Sequence, residues 1–287
     1  MTPRISNGIA WAVVPVLLLA FAAVALWQRR HPPPEIVLPA PPMQHEPSLM
    51  LWAWETPEDL TALDPAQTGV AFLSREVLLG NALVVRPRRQ PLRVAPGTWL
   101  MAVVRIEAAP GFVASRELAV SAAKAIAAAA NEPNVRAVQV DFDATASQRD
   151  FYAEVLRRVR RELPASEPLS ITALVSWCGP HSWLRVFAPN DIDREIDEAV
   201  PMFFRMGGPS ATRAAAPRSQ QLIAEPLCAG SVGVSTDEAW PPIHSGQRVY
   251  VFRSGAWTAA DLARIRTFGY QGLRQSPTQD SRQVPQP

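Results

Sequence analysis

The sequence has few of the residues that disulfide-rich scaffolds, zinc sites and nucleotide-binding loops require. Only 2 cysteines and 4 histidines occur among 287 residues, so at most one disulfide can form. His181 and His244 are the only histidines in the region that we expect to fold, and neither has a partner at a zinc-binding spacing. The glycine-rich dinucleotide and phosphate loops and the Gly-x-Ser-x-Gly elbow of serine hydrolases are also missing. We therefore predict neither a metal ion nor a cofactor.

An excess of charge of either sign is missing as well. The chain has 28 basic and 26 acidic residues, which leaves a formal net charge of +2. Proteins that bind nucleic acid usually carry a strong basic patch. The balanced charge therefore argues against nucleic acid as a partner.

One long apolar run is present near the N-terminus, at residues 8–27. A helix that crosses a bilayer needs about 20 apolar residues. We predict that residues 1–30 form a single-pass anchor in a bacterial inner membrane, with the folded domain in the periplasm. The alternatives are a signal peptide cleaved after the small residues 23–25 and a buried helix of a soluble protein.

Two polar or proline-rich stretches bound the part of the chain that can build a core. Residues 31–48 contain seven prolines and predict a semi-rigid linker of polyproline type. Residues 271–287 are rich in Gln, Ser and Pro and predict a disordered tail. We therefore expect one folded domain over residues 49–270.

Inside that domain, short apolar segments repeat along the chain. Several are continuously apolar, which is typical of strands buried on both faces in a parallel sheet. The predicted strands are 49–55, 70–74, 100–106, 137–143, 169–177, 199–206, 231–235 and 249–253.

Amphipathic segments lie between some of these strands. Residues 117–130 form an alanine-rich stripe, and a second stripe follows a cap at Ser147. Thr258 opens a third. Residues 56–59, Thr-Pro-Glu-Asp, have the pattern of a capped helix start with proline at the first position.

Eight strands that alternate with helices predict an α/β fold, an irregular (β/α)8 barrel of the TIM type. The irregularity is expected between residues 74 and 100, where the strand pattern on both sides of Gly80 and Asn81 predicts a hairpin instead of a helix. A doubly wound sheet is the alternative, but it lacks a glycine-rich loop after its first strand.

The segment VQVDFDA carries the strongest chemical pattern. Because side chains alternate along a strand, Gln139, Asp141 and Asp143 share one face. Two neighbouring carboxylates raise each other's pKa, as a general acid requires. We predict Asp143 and Asp141 as catalytic residues, with Glu55 or Glu238 as a second carboxylate. A purely structural pair that accepts loop hydrogen bonds is the alternative.

Further candidates lie at the predicted carboxyl ends of other strands, where the functional groups of such barrels are found. Tryptophan rings offer stacking surfaces to sugars, and acidic or basic side chains offer hydrogen bonds to their hydroxyls. Each also has a structural alternative, as a core aromatic or a helix cap. The predicted substrate-binding residues are Trp54, Trp177, Arg205, Asp237 and Glu238.

The two cysteines give conflicting signals. Export to the periplasm favours a bond between Cys178 and Cys228. However, Cys178 follows the fifth predicted strand and Cys228 precedes the seventh, which places them nominally at opposite ends of the barrel. Bridged Cα atoms lie within about 7 Å. Either the bond is absent or the seventh strand is misplaced.

Several motifs together resemble an uncharacterised bacterial family, the domain of unknown function 3142. The match covers most of residues 49–258 and implies no particular reaction. The motifs are LWAWETPEDL, VVRIE, VQVDFDA, LSITALVSW, AVPMFFRMG and GVSTDE.

A more distant resemblance links VQVDFDA to the Asp-x-Asp-x-Glu motif of chitinase-type family 18 glycoside hydrolases. It places Gln139 at the first acid, Asp141 at the second and Asp143 at the catalytic glutamate. Phe204 stands at the position of a tyrosine in the family's sixth-strand motif. The shorter acid and the missing hydroxyl put substrate-assisted hydrolysis of an N-acetyl sugar in doubt, without excluding another glycosidic mechanism.

These observations predict an envelope protein whose barrel acts on or binds a glycan. The alternative is a non-catalytic module that binds polysaccharide or peptidoglycan, or that scaffolds an envelope assembly. A weaker alternative is a cation-dependent site at Asp141, Asp143 and Asp237.

Overall fold

The computed structural model describes Met43 and residues 46–187, 195–204 and 223–274. The predicted membrane segment at 8–27, Arg205 and the last residues of the predicted tail lie outside these ranges. None of the described helices is long and apolar enough to cross a membrane. The strands are β1 (Leu49–Ala53), β2 (Glu58–Leu60), β3 (Thr68–Leu79), β4 (Leu83–Pro87), β5 (Leu92–Val94), β6 (Leu100–Ala108), β7 (Val135–Asp141), β8 (Leu169–Leu174), β9 (Glu198–Met202), β10 (Ser231–Ser235) and β11 (Arg248–Phe252). The α-helices of this part of the chain are α1 (Arg116–Ala127), α2 (Arg149–Glu162) and α3 (Ala259–Arg274).

The main sheet closes into a barrel. Its strand order is β1-β11-β10-β9-β8-β7-β6-β3-β4, and β1 also pairs with β3. Every pairing among the eight strands other than β4 is parallel. The predicted α/β barrel of the TIM type is therefore confirmed, and each of its strands lies on a predicted segment.

The barrel strands are buried on both faces, and their side chains divide into two apolar clusters. The interior cluster contains Met50, Trp52, Met101 and Tyr250. The outer cluster contains the alternate strand residues, which pack against the helices. Met43, which belongs to the predicted linker, is only 6% exposed and joins the interior cluster. The end of that linker is thus part of the core.

The helices lie outside the barrel, as their apolar stripes predict. Tyr152, Val155 and Leu156 of α2 are fully buried. The backbone N–H of Asp261 donates to the Thr258 hydroxyl, and the Thr258 N–H donates to the Asp261 carboxylate, which caps the start of α3. This helix continues past residue 270, the predicted end of the folded domain, to Arg274.

Part of the sheet rises above the barrel as a three-stranded wall. The wall consists of residues 75–79 of β3, β4, and residues 105–108 of β6. β4 pairs antiparallel with β3, which confirms the predicted hairpin. A bulge in β3 between Leu73 and Arg75 shifts the register by one residue. Below the bulge Ala71 faces the interior, whereas above it Val77 belongs to the outer cluster.

The predicted helix at residues 56–59 is wrong. Residues 58–60 form strand β2, which pairs parallel with β5. The Glu58 carboxylate accepts the Thr56 hydroxyl at 2.5 Å and the backbone N–H of Trp257 at 3.0 Å. The pairing with β5 and the contact with the distant Trp257 hold the segment extended and override its local helix signal.

Cys178 and Cys228 form a disulfide, with Cα atoms 5.9 Å apart. The seventh barrel strand, β10, also lies where it was predicted. The expectation that the disulfide and this strand position exclude each other was therefore wrong. After β8 the chain turns back through a short 3-10 helix (Val175–Trp177) into the outer cluster, which includes both cysteines. The Cys178 carbonyl accepts the backbone N–H groups of Ala224 and Glu225, which brings the two segments together.

Candidate functional site

Asp141 lies at the carboxyl end of β7 inside the barrel mouth, on the same face as Gln139, as predicted. Its side chain is 3% exposed. The Thr172 hydroxyl donates to Oδ1 at 2.6 Å, and Arg105 Nη1 lies 3.4 Å from Oδ2. Burial raises the pKa of Asp141, whereas the Thr172 hydrogen bond and the Arg105 charge lower it. Asp141 is therefore a fixed, partnered carboxylate without direct access to a large ligand.

Asp143 differs from Asp141 because it is exposed at the rim. Partial desolvation raises its pKa, and the Arg105 guanidinium acts in the opposite direction. The charge of Asp143 in turn raises the pKa of Asp141. The two carboxyls are thus coupled, with one buried as a support and one accessible to solvent. This is an arrangement in which the outer group can donate a proton.

Arg105 connects the parts of this site. Its Nε lies 2.9 Å from Glu107 Oε1, and its guanidinium lies over the Trp54 ring at 5.8 Å from the ring centroid. Arg105 is also the register partner of Asp141 across β6 and β7. Its position at the carboxyl end of a predicted strand was noted from the sequence, but it was not chosen as a site residue. The charged end of the VVRIE strand was the available signal, but its contact with Asp141 depends on the strand pairing.

Aromatic side chains close the barrel mouth beside Asp141. Phe204 and Phe252 stack with ring centroids 5.3 Å apart and an angle of 6°. The remaining cavity is about 10 Å³, which is room for about one water molecule. It is lined by Trp52, Trp54, Asp141, Thr172, Met202, Phe204 and Phe252. Within the described residues, a ligand as large as a sugar can therefore reach Asp143 at the rim but not enter the barrel.

The other predicted carboxylates lie on neighbouring loops. Glu55 Oε1 accepts the backbone N–H groups of Arg89 and Gln90 at 3.0 and 3.1 Å. Asp237 accepts the Ser254 hydroxyl at 2.5 Å. Within the described residues, no hydrogen bond or ion pair joins Asp143 to Glu55 or Asp237. The role of a second carboxylate at Glu55 or Glu238 stays a prediction.

The predicted sugar-binding residues are not all at the mouth. Trp54 lines it and is partly exposed. Trp177 is 2% exposed and packs in the outer layer against Trp183, with ring centroids 5.2 Å apart, so it presents no ring face to solvent. Arg205 lies outside the described residues. The described residues contain no group of three or more His, Cys, Asp or Glu that could hold a metal ion.

A polar network deeper in the barrel was missed by the sequence analysis. Trp52 Nε1 donates to Gln139 Oε1 at 2.8 Å, and Gln139 Nε2 donates to Ser170 Oγ at 3.0 Å. Ser170 Oγ then donates to Glu198 Oε2 at 2.9 Å. Gln139, which aligns with an acid of the chitinase-type motif, is therefore a fully buried bridge between β1 and β8.

Glu198 is the centre of this network. Its carboxylate accepts the Tyr250 hydroxyl at 2.7 Å, the Ser231 hydroxyl, and Arg248 Nη1 at 2.7 Å. Burial, followed by the Glu198 charge, raises the pKa of Tyr250 well above its ordinary value. Glu198 and Arg248 are the first residues of otherwise apolar strands, and that position was the only sign of their role in the sequence.

Comparisons with solved structures agree with the barrel fold. No family model matches the chain, and no curated protein matches it, so the resemblance to the domain of unknown function 3142 is not confirmed. The chain is similar in structure to a putative chitinase A from Streptomyces coelicolor, with a TM-score of 0.53 and 11% identity over 80% of this chain and 99% of that one. It also matches the Bacillus cereus spore cortex-lytic enzyme SleL, with a TM-score of 0.36 and 19% identity over 56% of this chain. The match spans 42% of the length of SleL.

Proposed function

We propose that this barrel acts on a glycan at the rim beside β6 and β7, with Asp143 as general acid and Asp141 as its charge partner and positioning residue. The observation that supports the proposal most is the coupled pair itself. Asp143 is exposed and has a raised pKa, and Asp141 beneath it is held by Thr172 and Arg105. The glycoside-hydrolase-like fold agrees with this role, although fold alone does not define an activity.

The proposed chemistry needs a second carboxylate, for which Glu55 and Glu238 are the candidates. Asp143 would protonate the glycosidic oxygen as the bond to the sugar breaks. The second carboxylate would then stabilise the sugar cation or activate water. A separation of about 5–5.5 Å between the two carboxyls implies retention at the anomeric carbon, and about 6.5–9.5 Å implies inversion. Trp54 and Asp237 would contact the sugar.

The test uses the full chain purified in mild detergent, with peptidoglycan sacculi, chitin and cellulose as probes and release of reducing ends as the readout. We expect Asp143→Asn to lower the rate about 100-fold or more, because general acid catalysis contributes on the order of 10²–10⁴. Asp150→Asn, an exposed aspartate at the start of α2, is the matched control. Equal activity of Asp143→Asn and wild type would refute the role.

A non-catalytic glycan-binding module is the second candidate. It is favoured by the filled mouth, where about 10 Å³ of space remains next to Asp141. Pull-down of the same probes without release of reducing ends would support this candidate. An envelope scaffold, which would bind none of them, is the remaining reading.

We also propose that residues 8–27 anchor the chain in the inner membrane and that the barrel lies in the periplasm. The buried Cys178–Cys228 bond supports an oxidising compartment. A reporter that works only in the periplasm, fused after the last residue, should be active. The mass of the purified N-terminus distinguishes an anchor from a cleaved signal peptide. A silent reporter would reverse the assignment.

A further inference from the structure

We infer that the front face of the three-stranded wall is a binding surface for an extended, uncharged glycan chain, which continues the site at Asp143 away from the barrel axis. This inference rests on the proposed function. It concerns the length and the charge of the ligand, neither of which the acid pair defines.

The wall is continuous with the site because the strands are in register. Glu76 of β3 is the partner of Arg105, which is the partner of Asp141. Across the hairpin, Arg86 of β4 is the partner of Glu76. Direct partners in neighbouring strands point to the same face of a sheet. One row of side chains therefore runs from Asp141 to Arg86.

A second row lies above the first. Leu78 is the partner of Glu107 in β6 and of Val84 in β4. Adjacent strands are about 4.8 Å apart, so the two spacings between the three strands of the wall give a surface about 10 Å wide. That width exceeds a single sugar ring and suits a chain of linked sugars.

The two faces of the wall are used differently. On the back, Val77 and Leu79 are fully buried in the outer cluster near α1, and Arg75 bonds the carbonyl of Ala125 at 3.3 Å. On the front, Glu76 and Leu78 are half-buried, Arg86 is exposed and Val84 is 48% exposed. The back of β3 is thus covered by α1, although Val85 on the back of β4 is 39% exposed, and the front is open to a ligand.

The composition of the front face indicates the kind of ligand. On the three strands of the wall itself, which do not include Asp141 and Asp143, Glu76 and Glu107 balance Arg86 and Arg105. The wall therefore has no net charge to attract a polyanion or a polycation. Carboxylates and guanidinium groups accept and donate hydrogen bonds to hydroxyls. Leu78 and Val84 offer apolar contact to the C–H face of a sugar ring. These properties together fit a neutral polysaccharide.

The wall is also held in place relative to the mouth. Arg88, just after β4, donates to the carbonyls of Trp54 and Thr56, the latter at 2.6 Å. Glu55 accepts the backbone N–H groups of Arg89 and Gln90 from the same loop. These bonds tie the wall to the loop that carries Trp54, so a bound chain meets a preorganised surface.

The test measures binding of neutral cello- and chito-oligosaccharides, a disaccharide and long oligomers of each, to the full chain by calorimetry. We expect long oligomers to bind more tightly than disaccharides. Arg86→Ala should weaken binding of long oligomers about fivefold, the loss of one ordinary hydrogen bond, and leave disaccharide binding unchanged. Arg93→Ala is the control for charge, since Arg93 is 76% exposed on β5, outside the wall.

A second pair of variants on one strand separates the two faces. Val84→Ser should weaken binding of long oligomers, and Val85→Ser, on the back of β4, should not. The proposed role of the wall is refuted if long oligomers bind no more tightly than disaccharides, or if Arg86→Ala and Val84→Ser both bind like wild type. It is also refuted if an anionic polymer such as polygalacturonate binds more tightly than the neutral oligomers. If no oligosaccharide binds the wild-type chain, both the proposed function and the proposed role of the wall are wrong.

Discussion

The buried carboxylate of Glu198 makes a prediction about stability that the structure defines closely. Glu198 collects hydrogen bonds from four side chains, those of Ser170, Ser231, Arg248 and Tyr250. The Glu198 and Arg248 side chains are 5% and 10% exposed. The substitution Glu198→Ala removes the carboxylate and leaves the guanidinium buried without its counter-charge.

The expected cost follows from that burial. Breaking a buried ion pair by removing one partner costs about 3–5 kcal/mol, because the remaining charge stays desolvated. For a folded domain of this size, 1 kcal/mol corresponds to roughly 2–4 °C in melting temperature. We therefore expect Glu198→Ala to lower the melting temperature by roughly 6–20 °C.

A double substitution tests the cause. In Glu198→Leu with Arg248→Met, no charge is left buried, so the loss should be smaller than in Glu198→Ala. Some loss should remain, since Arg248 also donates to the Pro47 carbonyl at 2.8 Å and to that of Met43. These two bonds hold the chain that enters β1 against the barrel.

The assay is equilibrium unfolding of the full chain in urea, followed by tryptophan fluorescence. Glu162→Ala, at the exposed end of α2, serves as the control and should change little. A loss below about 1 kcal/mol for Glu198→Ala would refute the reasoning, because it would be the value of a single ordinary hydrogen bond. Arg248 would then be hydrated in the native protein.

Three further predictions concern the disulfide, the buried acid and a glycine. Replacing Cys178 and Cys228 by alanine should cost about 4 kcal/mol, the loop-closure value for a separation of 50 residues, and unchanged unfolding would mean that the bond does not form. Native Asp141 keeps its proton to higher pH than in the unfolded chain, so its contribution to stability is present at low pH and is lost as pH rises above about 4. Melting curves from about pH 4 to pH 8 should show this slope for wild type and a reduced slope for Asp141→Asn, and equal slopes would contradict the raised pKa. Gly233→Ala places a methyl group 2.9 Å from the Trp52 indole ring and should lower the free energy of unfolding by about 1–3 kcal/mol. Gly230→Ala is the control, since it has open space around it and should be nearly neutral. Equal effects of the two substitutions would argue against the tight contact at Gly233.

The barrel could be predicted because its information is local. Each strand is a short apolar run that must be buried on both faces, and the turn at Gly80 and Asn81 marks a hairpin in place of a helix. Alternation along β7 is also local, so the shared face of Gln139 and Asp141 followed from their spacing. Asp143 lies beyond the end of this strand, and its place on the same face stays a prediction. The cap formed by Thr258 and Asp261 is similarly encoded within a few residues. The predicted cap at Ser147 is wrong, because the capping box before α2 joins Thr145 and Gln148.

The features that sequence reasoning missed depend on contacts between distant residues. Glu58 became part of a strand because its partners are Trp257 and the backbone of Pro91. The Glu198 network draws its donors from three other strands. Arg105 becomes part of the site only once β6 is paired with β7. Neither periodicity nor spacing along one segment contains this information.

The bulge at Ser74 decides which way the upper half of β3 faces. Leu73 pairs with Val103 and Arg75 pairs with the next residue, Val104, so Ser74 takes no place in the ladder with β6. Because Ser74 is passed over, Glu76 and Leu78 share the face of Arg105 and Glu107, whereas Val77 and Leu79 point toward α1. If Ser74 paired regularly instead, every later residue of β3 would turn to the opposite side: valine and leucine would face water, and a carboxylate would be pressed against a helix. Deleting Ser74 would straighten the strand and leave both faces of the wall as they are.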